Sequence, residues 1–142
     1  MIIGFTGTRN GLTDLQRKSL DRLFREYYRE NIQFHHGDCV GADYEAGVAA
    51  LATNYYVVIH PPILNKHRAF SKKNEERTPA SYMDRNLDIV RECHILIACP
   101  KENNEQLRSG TWSTIRKGIR LGKRVLIVFP DGDVIDNEVG CN

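Results

Sequence analysis

The chain has 142 residues, of which 41% are hydrophobic and 27% are charged, and its formal net charge at pH 7 is +2. These values are ordinary for a globular protein, and the length predicts a single domain, residues 1–142, that buries about two-thirds of its unfolded surface. The small net charge does not favour nucleic acid or a membrane surface as partner, and no apolar run approaches the roughly 20 residues that span a bilayer.

The N-terminus and the cysteines favour a cytoplasmic protein. The first five residues lack a basic lead-in and reach the polar Thr6 too soon for a secretory signal. The four cysteines form no CxxC pair, so we expect reduced thiols rather than disulfides or a metal centre. They are Cys39, Cys93, Cys99 and Cys141.

Short apolar strands alternate with amphipathic helices along the chain. The predicted strands are 2–5, 32–36, 55–60, 95–99 and 125–129. Thr13 and Gln16 form a capping box that opens the first helix, and Gly122 is a left-handed cap after the last one. This order predicts an α/β fold of three layers, with helices on both faces of a mostly parallel, five-stranded sheet.

Two stretches have no clear period. Residues 131–142 read as a polar C-terminal tail that is partly loose. Residues 61–79 read as a basic lid over a ligand, with an ordinary solvated loop as the alternative. The basic side chains of that segment are Lys66, His67, Arg68, Lys72, Lys73 and Arg77, against Glu75 and Glu76.

A candidate anion site follows the buried strand 95–99, which Pro100 ends. Ser109, Gly110 and Thr111 stand where the next helix is predicted to begin. Free N–H groups and the helix dipole make such a start suitable for a phosphate, and ligands of open parallel sheets sit at this edge. The alternative is an ordinary turn capped by Ser109 or Thr111.

The turn after the first strand is expected to face that site. A doubly wound order places strands 2–5 and 95–99 side by side, so residues 6–9 would form the opposite wall of one pocket. Thr6 and Thr8 supply hydroxyl groups, and Gly7 allows a ligand to approach the backbone closely. The Arg9 guanidinium can bind a phosphate through two hydrogen bonds, or alternatively form a surface salt bridge. The spacing is neither GxGxxG nor a Walker loop, which disfavours ATP hydrolysis and the usual dinucleotide binding.

Residues 35–43 hold further candidates. His35 and His36 are neighbours in a strand and point to opposite faces, so they cannot easily share a metal ion, and zinc spacings are absent. Asp38 is expected at the pocket edge. Asp43, like Glu45, is a candidate acid or base, or equally a helix cap. A Cys39 nucleophile has no identified base.

The helices beside the strand 95–99 add three residues. Arg85 and Asn86 lie on the helix before this strand and either project into the pocket or belong to a solvated helix surface. Trp112 is interpreted as a core residue rather than a stacking platform.

Taken together, four stretches resemble the SLOG superfamily, which groups the DNA-processing protein A (Smf) proteins with the Lonely Guy cytokinin-activating proteins. They are residues 4–9, 36–43, 84–86 and 109–111, and the resemblance extends over about residues 1–130. It implies a Rossmann-like fold that binds nucleotides or nucleotide-derived ligands at these turns. Lonely Guy enzymes cleave the bond between base and ribose 5′-phosphate with an arginine and a glutamate, and are dimers, which implies a homo-oligomer here.

The match to the enzymes is incomplete. Arg85 matches the family arginine, but Ser113 and Thr114 stand where the glutamate is expected. A hydroxyl cannot replace a carboxylate at an oxocarbenium-like centre without a large loss of rate. Another acid would have to serve, or the domain binds without cutting.

The sequence therefore predicts a protein that binds a nucleotide or a nucleotide-derived small molecule. Such a protein would sense or sequester a signalling nucleotide. A Lonely Guy-like phosphoribohydrolase, with Arg85, Asp38 and Asp43 as catalytic residues, is the alternative, and single-stranded DNA binding a second one. We expect no metal and no separate cofactor. The expected ligand-binding residues are Thr6, Gly7, Thr8, Arg9, Gly37, Asp38, Gly41, Asp43, Arg85, Asn86, Pro100, Ser109, Gly110 and Thr111.

Overall fold

A seven-stranded sheet runs through the centre of the computed structural model, which describes residues 1–137. Its strands are β1 (Ile2–Gly7), β2 (Gln33–His36), β3 (Tyr56–Ile59), β4 (Glu75–Glu76), β5 (Ile95–Cys99), β6 (Arg124–Val128) and β7 (Val134–Asn137). The helices are α1 (Asp14–Tyr27), α2 (Ala42–Ala52), α3 (Tyr82–Glu92) and α4 (Gly110–Arg120). None of these helices is long and apolar enough to cross a bilayer.

The strand order is β4-β3-β2-β1-β5-β6-β7. Every neighbouring pair is parallel except β6 and β7. The predicted pairing of the first strand with the strand at residue 95 is confirmed, since Ile3 is paired with Ile95 and Gly7 with Cys99. The chain therefore changes direction across the sheet between β1 and β5, which is the switch point of a doubly wound fold.

The helices cover both faces of the sheet, as predicted. One core cluster packs α1 and α2 against the sheet through residues such as Phe24, Phe34 and Ala46. The other lies under α3 and α4 and contains Val90 and Trp112. Trp112 is thus a core residue, and its indole Nε1 donates to Glu102 Oε1 at 3.2 Å.

Two strands were not predicted. β4 has two residues and lies inside the segment 61–79, where a pair of glutamates gives no strand signal. β7 lies in the predicted polar tail, of which residues 134–137 form a paired strand. A turn at Gly132, with φ +90°, folds this strand back antiparallel to β6. The remaining tail residues, 138–142, including Cys141, lie outside the described residues.

The capping box of α1 is confirmed, and it also ties the helix to the sheet. Thr13 Oγ1 accepts from the Gln16 N–H, and the Gln16 side chain accepts from the Thr13 N–H. The amide nitrogen of Gln16, which is fully buried, donates to the carbonyls of Pro100 at 2.8 Å and Val128 at 3.0 Å. These bonds hold α1 against the ends of β5 and β6 beside the switch point.

Candidate functional site

A cleft of about 780 Å³ opens at the carboxyl ends of β1 and β5. Both predicted walls line it: the turn after β1, with Gly7, and the start of α4, with Gly110. The expected residues that line the cleft are Thr6, Gly7, Thr8, Arg9, Gly37, Asp43, Arg85, Asn86, Ser109, Gly110 and Thr111. The two turns, about 100 residues apart in sequence, therefore share one concave site, as the doubly wound order requires.

The wall formed by residues 6–10 is fixed by backbone contacts. The Thr8 N–H donates to the Cys99 carbonyl at 3.1 Å, and the Ala42 N–H donates to the Thr8 carbonyl at 3.0 Å. A Cβ on Gly7 would lie 2.6 Å from the Ala42 Cβ, so only glycine allows α2 to pack this closely against the turn. The turn is thereby held between β5 and α2, with the exposed Arg9 side chain at its tip.

The opposite wall is the N-terminus of α4. Ser109 is the N-cap, and its hydroxyl accepts from the Trp112 N–H at 3.2 Å. Gly110 and Thr111 are the first helical residues, whose N–H groups have no carbonyl acceptor within a helix. The first turn holds no acidic residue that would neutralise the positive end of the helix dipole. These features suit an anion.

Three cationic side chains at the cleft have no hydrogen-bond or ion-pair partner among residues 1–137. Arg9, Lys101 and Arg108 line the cleft. Within residues 1–137, none of these side chains forms a hydrogen bond or an ion pair with another residue. Free cations beside free N–H groups give the cleft a positive potential that a phosphate could neutralise.

Arg85 lies at the base of the cleft and is almost fully buried, at 4% exposure. Its Nη1 donates to the carbonyls of Gly37 and His60, and its Nη2 lies 3.6 Å from Cys39 Sγ. Its Nε is buried without a hydrogen-bond partner among the described residues. Arg85 thus holds the ends of β2 and β3 together, and contributes charge to the cleft from below.

Asp43 is the buried carboxyl group of the cleft. It is not the N-cap of α2, which is Gly41, but its Oδ2 accepts from the Cys39 N–H at 3.2 Å. Burial raises the pKa of Asp43 from 3.8 to about 6, although the nearby charge of Arg85 acts to lower it. The pKa therefore lies near neutral pH, as it does in many general acids and bases.

The raised pKa predicts a pH dependence of stability. Between pH 3.8 and about 6 the folded chain holds the Asp43 proton while the unfolded chain releases it. Stability contributed by this group is therefore complete below that interval and lost as the pH rises through it. Relative to Asp43→Asn, we expect the wild type to lose about 3 kcal/mol of unfolding free energy between about pH 4 and pH 7. Urea unfolding of both proteins at several pH values measures this, and parallel curves would contradict it.

Three of the expected site residues lie outside the cleft lining. Pro100 is buried, and its carbonyl accepts from Gln16. Gly41, at φ +90°, lies against the backbone of Arg9, where a Cβ would overlap the Arg9 carbonyl. Asp38 is fully buried, and its carboxylate accepts from Arg68 Nε at 2.9 Å and from the Ser71 N–H at 2.9 Å. These residues support the walls rather than face the cavity.

The segment 61–79 packs beside the cleft, but only His67 of its residues lines it. Much of its positive charge is paired with acids. Arg68 contacts Asp38 and Glu76, Lys73 contacts Glu76, and Arg77 contacts Glu75 and Glu92. Its backbone joins the end of β2, since the Val40 N–H donates to the His67 carbonyl at 2.8 Å.

The two neighbouring histidines point to opposite faces of the sheet, as predicted. His36 Nδ1 accepts from the Asp38 N–H at 3.0 Å, under α2. His35 lies on the other face, with Nδ1 2.8 Å from His60 Nε2. Burial is the main cause that lowers the pKa of His35 and of His36 to about 4, and that of His60 to about 3.

Sequence reasoning missed several cleft residues, chiefly Lys101, Arg108 and Tyr82. A signal was available for the two cations. The polar stretch 101–108 joins the central strand to the helix with the anion-binding start, so its basic ends had to lie near that start. Tyr82 gives no such signal, and it lies under Arg85 at 5.4 Å from ring centroid to guanidinium carbon.

Two solved structures share this architecture. A molybdenum cofactor binding protein from the phototrophic bacterium Rippkaea orientalis aligns with a TM-score of 0.70 over 90% of this chain and 76% of its own, at 20% identity. The fold is Rossmann-like. The structural-genomics target TM1055 aligns with a TM-score of 0.62 over 87% of this chain and 71% of its own, at 15% identity. No family model and no curated protein sequence matches the chain, so these likenesses concern the Rossmann-like fold alone.

Proposed function

We propose that this chain binds a nucleotide or a nucleotide-derived small molecule in the cleft between the turn 6–10 and the start of α4, as a member of the SLOG superfamily. The observation that carries the proposal is that cations with no side-chain partner among residues 1–137 and free helix-start N–H groups surround one cavity. One protein of similar fold is a molybdenum cofactor binding protein, which supports a small-molecule ligand as the broader class. A volume of about 780 Å³ suits a ligand of that size.

The cleft offers different partners to each part of such a ligand. The N–H groups of Gly110 and Thr111, with the Thr111 hydroxyl, are proposed to hold a phosphate. Arg9 and Arg108 would neutralise it from the two rims, with Arg85 adding charge from below. Asp43 is the buried carboxyl group in the lining and is proposed to accept from ribose hydroxyls. Asp38, which the sequence also suggested for that role, is occupied by Arg68 and Ser71.

Arg9→Ala tests this assignment because the Arg9 side chain is exposed and pairs with none of residues 1–137, so its removal should leave the fold intact. The wild type is titrated with nucleoside 5′-monophosphates, cyclic nucleotides and ADP-ribose, and both thermal shift and released free base are recorded. For the ligand that stabilises the wild type, we expect Arg9→Ala to weaken binding at least tenfold, about 1.4 kcal/mol.

Arg22→Ala is the matched control, since it removes the same charge from an exposed position on α1. It should bind like the wild type at equal ionic strength. A panel in which no compound shifts the melting temperature, or equal affinity in Arg9→Ala and wild type, would contradict the proposal. A shift with single-stranded oligonucleotides alone would favour DNA binding instead.

Phosphoribohydrolase activity is the second candidate, favoured by the raised pKa of Asp43 in the cleft. At the positions where Lonely Guy enzymes carry glutamate, Thr114 is buried and donates to the Gly110 carbonyl, and Ser113 accepts from Lys117. Asp43 would then have to supply the acid. Release of free base by the wild type, lost in Asp43→Asn, would establish the enzyme, whereas intact ligand supports the binder. The expected homo-oligomer stays a prediction that light scattering can test.

A further inference from the structure

A second cavity, of about 230 Å³, lies on the other side of Arg85 from the cleft. His60 and Glu92 line it, together with Asp88 and Arg77. Next to it, His35 Nδ1 lies 2.8 Å from His60 Nε2, and Glu92 Oε2 lies 4.0 Å from the same nitrogen. These three atoms all lie within 4.8 Å of one another.

The hydrogen bonds orient the rings so that lone pairs can converge. Gln33 Oε1 lies 2.8 Å from His35 Nε2. An amide oxygen only accepts, so the His35 proton sits on Nε2 and the lone pair of Nδ1 faces His60. In metal-binding histidines the N–H of the other ring nitrogen commonly donates to an outer acceptor in this way.

We infer that His35 Nδ1, His60 Nε2 and Glu92 Oε2 form a binding site for one divalent transition-metal ion, with Zn²⁺ as the best-suited probe. Two imidazoles and one carboxylate are a donor set of zinc sites that keep an open fourth position, and the cavity beside His60 supplies that position. Binding requires the His60 proton to move from Nε2 to Nδ1, so the rings release no net proton. The Glu92 side chain is 31% exposed and can rotate to close the remaining distance.

The surrounding charges permit a cation here. Two arginines lie near the site. Arg85 Nη1 donates to the His60 carbonyl at 3.2 Å, and Arg77 is paired with two carboxylates: its Nη2 lies 2.8 Å from Glu92 Oε1 and its Nε 2.9 Å from Glu75 Oε2.

The three ligands come from separate elements, so no local spacing reveals them. His60 follows β3, whose register with β2 places it diagonally across from His35 on the same face. Glu92 ends the helix that covers this face. The metal site shares no proposed ligand with the nucleotide site, although Arg85 lines both cavities.

The test uses the full chain after treatment with a chelator. ZnCl₂ is titrated by calorimetry, and bound metal is counted after dialysis, with Co²⁺ as a spectroscopic substitute. We expect one equivalent per chain, and a rise in melting temperature. His60→Gln and Glu92→Gln should each weaken zinc binding at least 100-fold, because changes to outer partners alone cost about 10–100-fold. Gln33→Met, which removes only the outer acceptor, should fall within that 10–100-fold range.

His67→Gln is the matched control, because it removes a histidine from outside the cluster and should leave the zinc stoichiometry unchanged. Glu92 is partly exposed, so Glu92→Gln keeps the test valid if the buried His60→Gln fails to fold. Absence of a saturable zinc site in the wild type, or equal zinc affinity in Glu92→Gln and wild type, would overturn the inference. Nucleotide titrations of the metal-free chain report on the other cleft separately.

Discussion

Asp38→Ala is expected to lower the free energy of unfolding by about 3–5 kcal/mol, the cost of breaking a buried ion pair from one side. Asp38 is fully buried, and its two oxygens accept from Arg68 and from the Ser71 N–H. Its removal leaves the buried Ser71 N–H without an acceptor. It also removes one of the two acids that pair with the Arg68 guanidinium, which is 12% exposed. Urea denaturation of both proteins, followed by circular dichroism, measures the difference.

Glu76→Ala is the matched control, because Glu76 is the other acid on Arg68, at 3.1 Å, but is 37% exposed. Exposed pairs contribute about 0–1 kcal/mol, so we expect a loss within that range. Asp38 also has φ +56°, which aspartate and asparagine tolerate better than alanine. Asp38→Asn therefore reports the pair without the backbone strain, and a loss no greater than that of Glu76→Ala would show that the pair does not hold the segment 61–79.

Gly41→Ala is expected to cost at least about 2 kcal/mol of stability and to weaken ligand binding as well. Gly41 has φ +90°, and a Cβ there would overlap the Arg9 carbonyl. Backbone atoms cannot move aside as a flexible side chain can, so the turn 6–10 must shift away from α2. The same shift would displace Arg9 from the position proposed for a phosphate. Chemical denaturation and the nucleotide titration together measure both effects.

Gly110→Ala is the comparison at the opposite wall. A Cβ at Gly110 has no atom within 4 Å, and alanine favours the helix by up to about 1 kcal/mol over glycine. This variant should be as stable as the wild type or more so, while the N–H group proposed to bind phosphate is retained. Equal stability of Gly41→Ala and Gly110→Ala would contradict the account of the Gly41 turn.

Much of the Rossmann-like fold could be predicted because its signals are local. The Thr13 and Gln16 capping box, the continuous apolar strand 95–99, and the alternation of strands with helices need no distant contact to be recognised. Right-handed crossovers then place β1 beside β5, and with them the two turns that line the cleft. β4 and β7 escaped prediction because pairing with β3 and β6, rather than their own composition, makes them strands.

The sequence by itself determined that the helix start at 109–111, which suits an anion, and the glycine-containing turn 6–9 meet at one edge of the sheet. The tertiary structure decided how each charge is used. The sequence predicts both Asp38 and Arg85 as ligand-binding residues. In the structure the Asp38 carboxylate accepts from Arg68, and Arg85 Nη1 donates to two backbone carbonyls beneath the cleft. Packing also gives Arg9 and Arg108 no side-chain partner within the described part of the chain, and it places His60 beside His35. Strand and helix patterns are set by neighbours in sequence, whereas the partner of a charged side chain is set by whichever distant groups packing brings within a few ångströms.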